Sequence, residues 1–414
     1  MEEEHVLQEL AERIEHHLTK LASFTATECG VTRLPFTAEG KDAVDYLASA
    51  MQDAGLSVQV DDTGAVHGLR SSPANQRIVI GSHYDTVREG GAFDGIAGVI
   101  CGIELARLIR GENLSCGLEV VGFNDEEGVR FGDGFLSSKA LLGEIGLEAM
   151  KARRDADGIS IYEAARRAGY DPEQIEEERW TIENLRAFFE IHIEQGRVLE
   201  ALGKKLGIVT GIVGMRRYVI RFEGQPDHAG TTPMDMRRDA LQVAAYAVLA
   251  AAKAAERRPG AVATVGSLIV APNAVNTVPG SVVLSLDLRS MKPEELAAMA
   301  SEIFAVMNER AKDAGVTVDI TEKLRSEPGE MDARLCKLLT ECAAKREIEP
   351  HAMISGAGHD ALPISFHVPT AMLFVPSRDG RSHCPEEWSS AKDLARAVLV
   401  LKDAVMALQA SIQA

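Results

Sequence analysis

Residues 78–86 read IVIGSHYDT, an apolar stretch of strand length that closes on His83 and Asp85. A Gly-rich turn follows, GGAFDGIAG at 90–98, and leads into an apolar segment whose spacing predicts a helix from Ile96 to about Arg110. Residues 118–127, LEVVGFNDEE, then form a second strand-length run. Strand, helix, strand in this order argues an α/β domain built on a largely parallel sheet. Residues 185–194, LRAFFEIHIE, extend the pattern, after a charged stretch expected to be helical from Gly158 to Trp180. Further helices are expected at 332–347 and 388–411, with a strand at 369–375 between them.

The stretch from 211 to 326 has a different rhythm. A strand at 216–224 precedes an Ala-rich helix at 237–257; strands at 263–271 and 281–289, a helix at 293–313 and a strand at 316–324 complete it. The order β-α-β-β-α-β is that of a ferredoxin-like unit. Gly and Pro cluster near Gly207 to Gly214 and Ser326 to Gly329, so the expected organisation is one α/β domain, 1–210 and 327–414, with a smaller domain inserted at 211–326.

A chain of 414 residues exceeds what one core usually organises. With 46% hydrophobic and 26% charged residues it is globular in composition, which excludes disordered, collagenous and disulfide-dense classes. The formal net charge of −18 repels phosphate backbones and anionic lipid, so neither nucleic acid nor a membrane surface is an expected partner. The six cysteines lie far apart without a CxxC pair. The N-terminal MEEEHVLQELAERIEHHL lacks a signal-peptide core, and no apolar run reaches a bilayer span, so a cytoplasmic protein is expected.

The chemistry gathers at strand ends. His83 and Asp85 close one strand, Glu126 and Glu127 another, and His192 sits late in a third; Asp94 lies in the Gly-rich turn and His383 in a loop after the 369–375 strand. Ligands of α/β sheets bind at the carboxyl ends of the strands, where these side chains should converge. Taken singly, a strand-end histidine is usually hydrogen-bonded and adjacent glutamates are usually solvated. Together, three imidazoles and two or three carboxylates suit a pair of divalent ions bridged by one carboxylate. At an extended strand end Glu126 and Glu127 would point to different sides, one toward metal and one toward substrate as a general acid/base. The Asp85 carboxylate is expected to accept the free ring N–H of a ligand histidine.

HYD at 83–85, GGAFDG at 90–95, DEEG at 125–128, HIEQG at 192–196, HAGTTPM at 228–234, NTVPG at 276–280, DLR at 287–289, SGAGHDA at 355–361 and SHCPEEW at 382–388 occur in this order. Together they resemble the M20 metallopeptidase superfamily, and within it the amidase branch of N-carbamoyl-L-amino-acid hydrolases, allantoate amidohydrolases and β-ureidopropionases. The resemblance implies a catalytic domain with helices on both faces of its sheet and a lid domain through which two chains form a homodimer. It implies two divalent ions per subunit, Mn²⁺, Zn²⁺, Co²⁺ or Ni²⁺: one held by His83, bridging Asp94 and His192, the other by Asp94, Glu127 and His383. Glu126 would be the general base and His228 would act on the developing oxyanion, in its own subunit or in the other. Arg289 would hold the carboxylate of a small-molecule substrate, with Asn276, Gln195, Gly358 and His359 also lining its site.

RRY at 216–218 resembles the allantoate branch, whereas SHCPEEWS resembles the carbamoylases at least as well. The expected activity is therefore cleavage of the ureido or amide C–N bond of an N-carbamoyl-L-amino acid or of allantoate, with release of ammonia and CO2. An aminoacylase or dipeptidase would share the metals but need a roomier pocket. A non-catalytic binding protein would be expected to have lost a ligand or Glu126, and none is lost.

Overall fold

The computed structural model describes residues 2–413. Its strands are β1 (Ser57–Val60), β2 (Val66–Arg70), β3 (Arg77–His83), β4 (Gly117–Phe123), β5 (Leu185–Ile193), β6 (Gly207–Ile212), β7 (Gly214–Glu223), β8 (Val262–Ala271), β9 (Ser281–Ser290), β10 (Thr317–Ser326), β11 (Gly329–Glu330), β12 (His351–Ser355) and β13 (Thr370–Val375). The chain divides into two compact units, one running to Thr210 and resuming at Glu330, the other Gly211–Gly329.

The first unit is built on a sheet ordered β1-β2-β4-β3-β5-β13-β6-β11, with β12 also on β6. Its centre is parallel, β4 on β3, β3 on β5 and β5 on β13. Antiparallel strands lie on either side. Every residue of β4 and β13 is buried, as expected of central strands covered on both faces. The helix Ile96–Leu108 is buried all round from Ile96 to Ala106, because it lies against β3, β4 and β5 with the helices Glu2–Ala22 and Ala391–Gln413 packed on it. Its Gly98 lets the helix approach closely: a Cβ there would overlap the Ile191 carbonyl on β5.

The second unit is a four-stranded antiparallel sheet, β10-β7-β9-β8. Burial alternates strictly along β9, so one sheet face is covered and the other is not. The cover is two helices. Ala240–Glu256 buries Ala240, Val243, Ala244, Ala247, Ala251 and Ala254, and Pro293–Ala314 buries Leu296, Met299, Ala300, Ile303, Met307 and Ala311.

Two local expectations are corrected. The segment from Gly158 to Trp180 is α-helical only over Ile161–Ala168, with a single 3-10 turn at Pro172–Gln174, because Gly169 caps the α-helix in the left-handed region and Pro172 follows. The strands also stop earlier than their apolar runs, β3 at His83 and β4 at Phe123, so Asp85, Glu126 and Glu127 lie in the turns beyond them.

Candidate metal centre

The parallel core delivers β3, β4, β5 and β13 to one sheet edge with their carboxyl ends together, and the chemistry collects there. His83 ends β3; its Nδ1 lies 3.0 Å from the main-chain carbonyl of Asp85. His192 on β5 has its Nδ1 2.9 Å from the Ile193 carbonyl. With Nδ1 donating to a carbonyl, each ring turns the lone pair of Nε2 inward, the tautomer a metal needs.

Asp94 joins the groups. Its Oδ1 is 3.8 Å from His83 Nε2 and 3.2 Å from His192 Nε2, while its Oδ2 is 3.1 Å from His383 Nε2. His383 Nε2 lies 3.4 Å from Glu127 Oε1, and His83 Nε2 lies 3.9 Å from Glu126 Oε2. Two sets of ligand atoms therefore share Asp94: His83, Asp94 and His192, and Asp94, Glu127 and His383, each within 4.8 Å of one another. Gly95, at φ +64, has no room for a side chain, since a Cβ would overlap the His83 ring.

Asp85 corrects an expectation. The ring nitrogen of His83 goes to its carbonyl, with Oδ1 out at 3.7 Å, and its carboxylate instead accepts the main-chain N–H groups of Glu126 (3.0 Å) and Glu127 (3.2 Å). Glu126 and Glu127 thus owe their placement to a turn pinned from beneath, with Asp125 at φ +59, and not to the alternation of an extended strand. A carboxylate that accepts two backbone N–H groups holds the turn more rigidly than a free loop could be held.

The surroundings are acidic and largely buried. Asp85, Asp94, Asp125, Glu126, Glu190 and Asp360 are all buried. Burial and then the charge of Glu127 push Glu126 well above the usual carboxylate range, and burial and then Asp94 push Glu127 up to about 9. Both carboxyl oxygens of Asp125 and one of Asp360 are buried without a hydrogen-bond partner. Such crowding calls for positive charge, and imidazole nitrogen with carboxylate oxygen is the donor set of Zn²⁺, Mn²⁺, Co²⁺ or Ni²⁺, so the residues fit divalent ions of that class.

The remaining candidates divide. His359 packs its ring 4.4 Å from that of His192, with Nε2 2.8 Å from Ser355 Oγ, and Gly358 precedes it in the loop after β12. Gln195 donates its amide N–H to both oxygens of Asp94, at 3.1 and 3.0 Å, so here it serves that carboxylate. His228, Asn276 and Arg289 belong to the second unit. His228 and Asn276 are brought together, since Ala229 N–H donates to the Asn276 carbonyl and His228 bridges to Thr277. The His228 ring accepts at Nδ1 from the main-chain N–H of Gly230 (3.0 Å) and Thr231 (3.2 Å), which leaves its proton on Nε2. Arg289, on β9, donates Nε to Asp287 Oδ1 at 2.8 Å, and Arg217 pairs with the same aspartate.

Sequence reasoning passed over Glu387. It stands inside the SHCPEEW motif, yet nothing in its spacing shows that its carboxylate reaches the amides of Phe93 and Asp94, each at 3.0 Å. The small residue at Gly91 was the signal available: a Cβ there would occupy the space of the Glu387 carboxylate.

A parallel sheet whose strand ends bring carboxylates and imidazoles around a shared aspartate is the arrangement of an α/β protein with a candidate metal centre at its sheet's carboxyl end. The chain belongs to peptidase family M20/M25/M40, whose model matches residues 79–407. It is 40% identical over 403 residues to an N-carbamoyl-L-amino-acid amidohydrolase of Paenarthrobacter aurescens, covering 96% of this chain and 98% of the relative. It is 36% identical over 397 residues to the allantoate amidohydrolase of Bacillus subtilis, covering 94% and 96%. Among solved structures, an amidase of the hydantoinase/carbamoylase family from Burkholderia multivorans superposes with a TM-score of 0.87 at 34% identity, covering 96% of this chain and 97% of that one.

Proposed function

We propose that this hydrolase is a dinuclear metal-dependent amidohydrolase that cleaves the ureido or amide C–N bond of an N-carbamoyl-L-amino acid or of allantoate, releasing ammonia and CO2. The observation that carries the reading is Asp94, whose two oxygens face two different ligand sets. When bound, divalent ions supply Lewis-acid charge that acidifies a water and polarises the scissile carbonyl. Glu126, beside His83, would take a proton from the attacking water and return it to the departing nitrogen. His228, with Nδ1 occupied by two amides, offers Nε2–H to the developing oxyanion. Arg289, oriented by Asp287, takes the substrate carboxylate.

Assembly belongs to the same proposal. Strand β8 is a sheet edge, and Ile269 on it (65% exposed) and Leu249 on the adjacent helix (58%) are apolar groups facing solvent, which favours a homodimer through this second unit as lid and dimerisation domain. Six free cysteines accord with a cytoplasmic setting.

The test is an ammonia-release screen of allantoate, N-carbamoyl-L-amino acids, N-carbamoyl-β-alanine and N-acetyl amino acids, each beside its carboxamide. Ammonia from ureido compounds bearing a free carboxylate is expected. Dipeptides are added and free amino acid is read in parallel with ninhydrin, since N-acetyl amino acids and dipeptides release no ammonia: cleavage of these alone would make the protein an aminoacylase or dipeptidase, and equal rates of ureido cleavage for carboxylates and carboxamides would remove Arg289 from the site.

A further inference from the structure

One carboxylate ties together two loops that are distant in sequence. Glu387 is buried, and all its acceptor capacity is used. Its Oε1 accepts the main-chain N–H of Phe93 and of Asp94, each at 3.0 Å; its Oε2 accepts the Ser382 hydroxyl at 2.7 Å and the main-chain N–H of His383 at 3.4 Å. The turn that aims it is local, since Glu387 N–H donates to the Cys384 carbonyl at 3.1 Å. The opposite wall is Gly91, where any side chain would displace the carboxylate.

We infer that Glu387 is a positioning residue for one ion of the pair: it locks the turn of Asp94 to the loop of His383 and so closes the ligand set Asp94, Glu127 and His383. The inference rests on the dinuclear reading above. His383 needs such a lock. Its side chain is 49% exposed and its main chain sits at φ +56, a left-handed conformation that a non-glycine residue keeps only where its surroundings impose it. His83 and His192, by contrast, are buried on or beside β3 and β5, with Nδ1 held by main-chain carbonyls, and need nothing from Glu387. With all four of its hydrogen bonds going to the protein, Glu387 acts through Asp94 and His383, not as a ligand.

The experiment is Co²⁺ binding to the full-length protein, by equilibrium dialysis and by visible absorption, for wild type, Glu387→Gln, Glu387→Ala and His383→Ala. Wild type should bind two ions. Both Glu387 variants should bind one ion with wild-type affinity and the other about 10- to 100-fold more weakly, the usual cost of losing an outer-sphere partner. At one equivalent, their spectra should match that of His383→Ala. Two ions bound at wild-type affinity in Glu387→Gln would overturn the inference, as would equal weakening of both, which marks a general structural role. Should Glu387→Ala fail to fold, the near-isosteric Gln variant decides alone. Wild type binding one ion or none would instead overturn the dinuclear reading, before any variant is considered.

Discussion

Asp85 offers its main-chain carbonyl to His83 Nδ1 and its carboxylate to the amides of Glu126 and Glu127, so a single buried residue orients an imidazole and the two glutamates beside it. The glutamates can then differ in role although adjacent: Glu127 lies by His383, and Glu126 by His83. This division yields a prediction for single residues. Glu126→Gln keeps volume and polarity but cannot shuttle a proton, so kcat should fall roughly 10²-fold or more while bound metal, by elemental analysis, stays at the wild-type level. Loss of metal together with rate would mean that the two glutamates exchange roles.

Among the elements, the helix Ile96–Leu108 decides how closely the turn bearing Asp94 can meet the strand bearing His192. Gly98 sits where its backbone faces the Ile191 carbonyl. Gly98→Ala forces helix and strand apart, and overpacking of this kind costs about 1–3 kcal/mol, to be read as a lower urea midpoint with unchanged m-value. An unchanged midpoint would show that the helix yields freely. Where antiparallel β2 joins the parallel core, β2, β4 and β3 are linked by charge: His67 Nε2 lies 3.1 Å from Asp61 Oδ2, His67 Nδ1 lies 2.8 Å from Glu119 Oε1, and Arg77 pairs with Glu119. Burial alone would lower the His67 pKa, but Asp61 and Glu119 outweigh it and raise it to about 10. A folded pKa above the unfolded value near 6.5 means stabilisation that is complete below pH 6.5 and is lost as pH rises through 10. The stability gap between wild type and His67→Gln, measured by urea unfolding, should therefore be widest at pH 6 and narrow toward pH 10; a gap independent of pH would show that His67 is neutral in the folded state.

For the whole molecule, the proposed homodimer can be tested together with the proposed role of His228, by asking whether that histidine would serve its own subunit or its partner's. Mixing Glu126→Ala with His228→Ala chains answers it by activity. If His228 acts across the dimer, each mixed dimer has one site with both lesions and one with neither, and random exchange makes half of all dimers mixed, so about a quarter of wild-type activity should return. If it acts within its own chain, every site carries a lesion and the mixture stays inactive. We expect recovery, and its absence after verified subunit exchange would defeat the shared site.

The alternation of apolar strand and helix along residues 78–127 and 185–194 is enough to read the parallel sheet, and the polar side chains that close those runs, with His383 in the loop after the 369–375 strand, are enough to mark His83, Asp94, Glu126, Glu127, His192 and His383 as candidates. Period and composition are local properties of the chain, so they are legible in it. What only the folded chain decided is how those residues are held. The pinning of Glu126 and Glu127 by Asp85 spans 41 and 42 positions, and the reach of Glu387 to Phe93 and Asp94 spans 294 and 293. Carboxylate-to-amide bonds of this kind depend on loops that meet at the strand ends only after the sheet has formed, and a backbone amide carries no residue signature by which a sequence could announce the bond. The same reason explains the early strand ends and the helix halted at Gly169: side-chain pattern sets where an element is favoured, whereas the hydrogen-bond partners available in the packed molecule set where it stops.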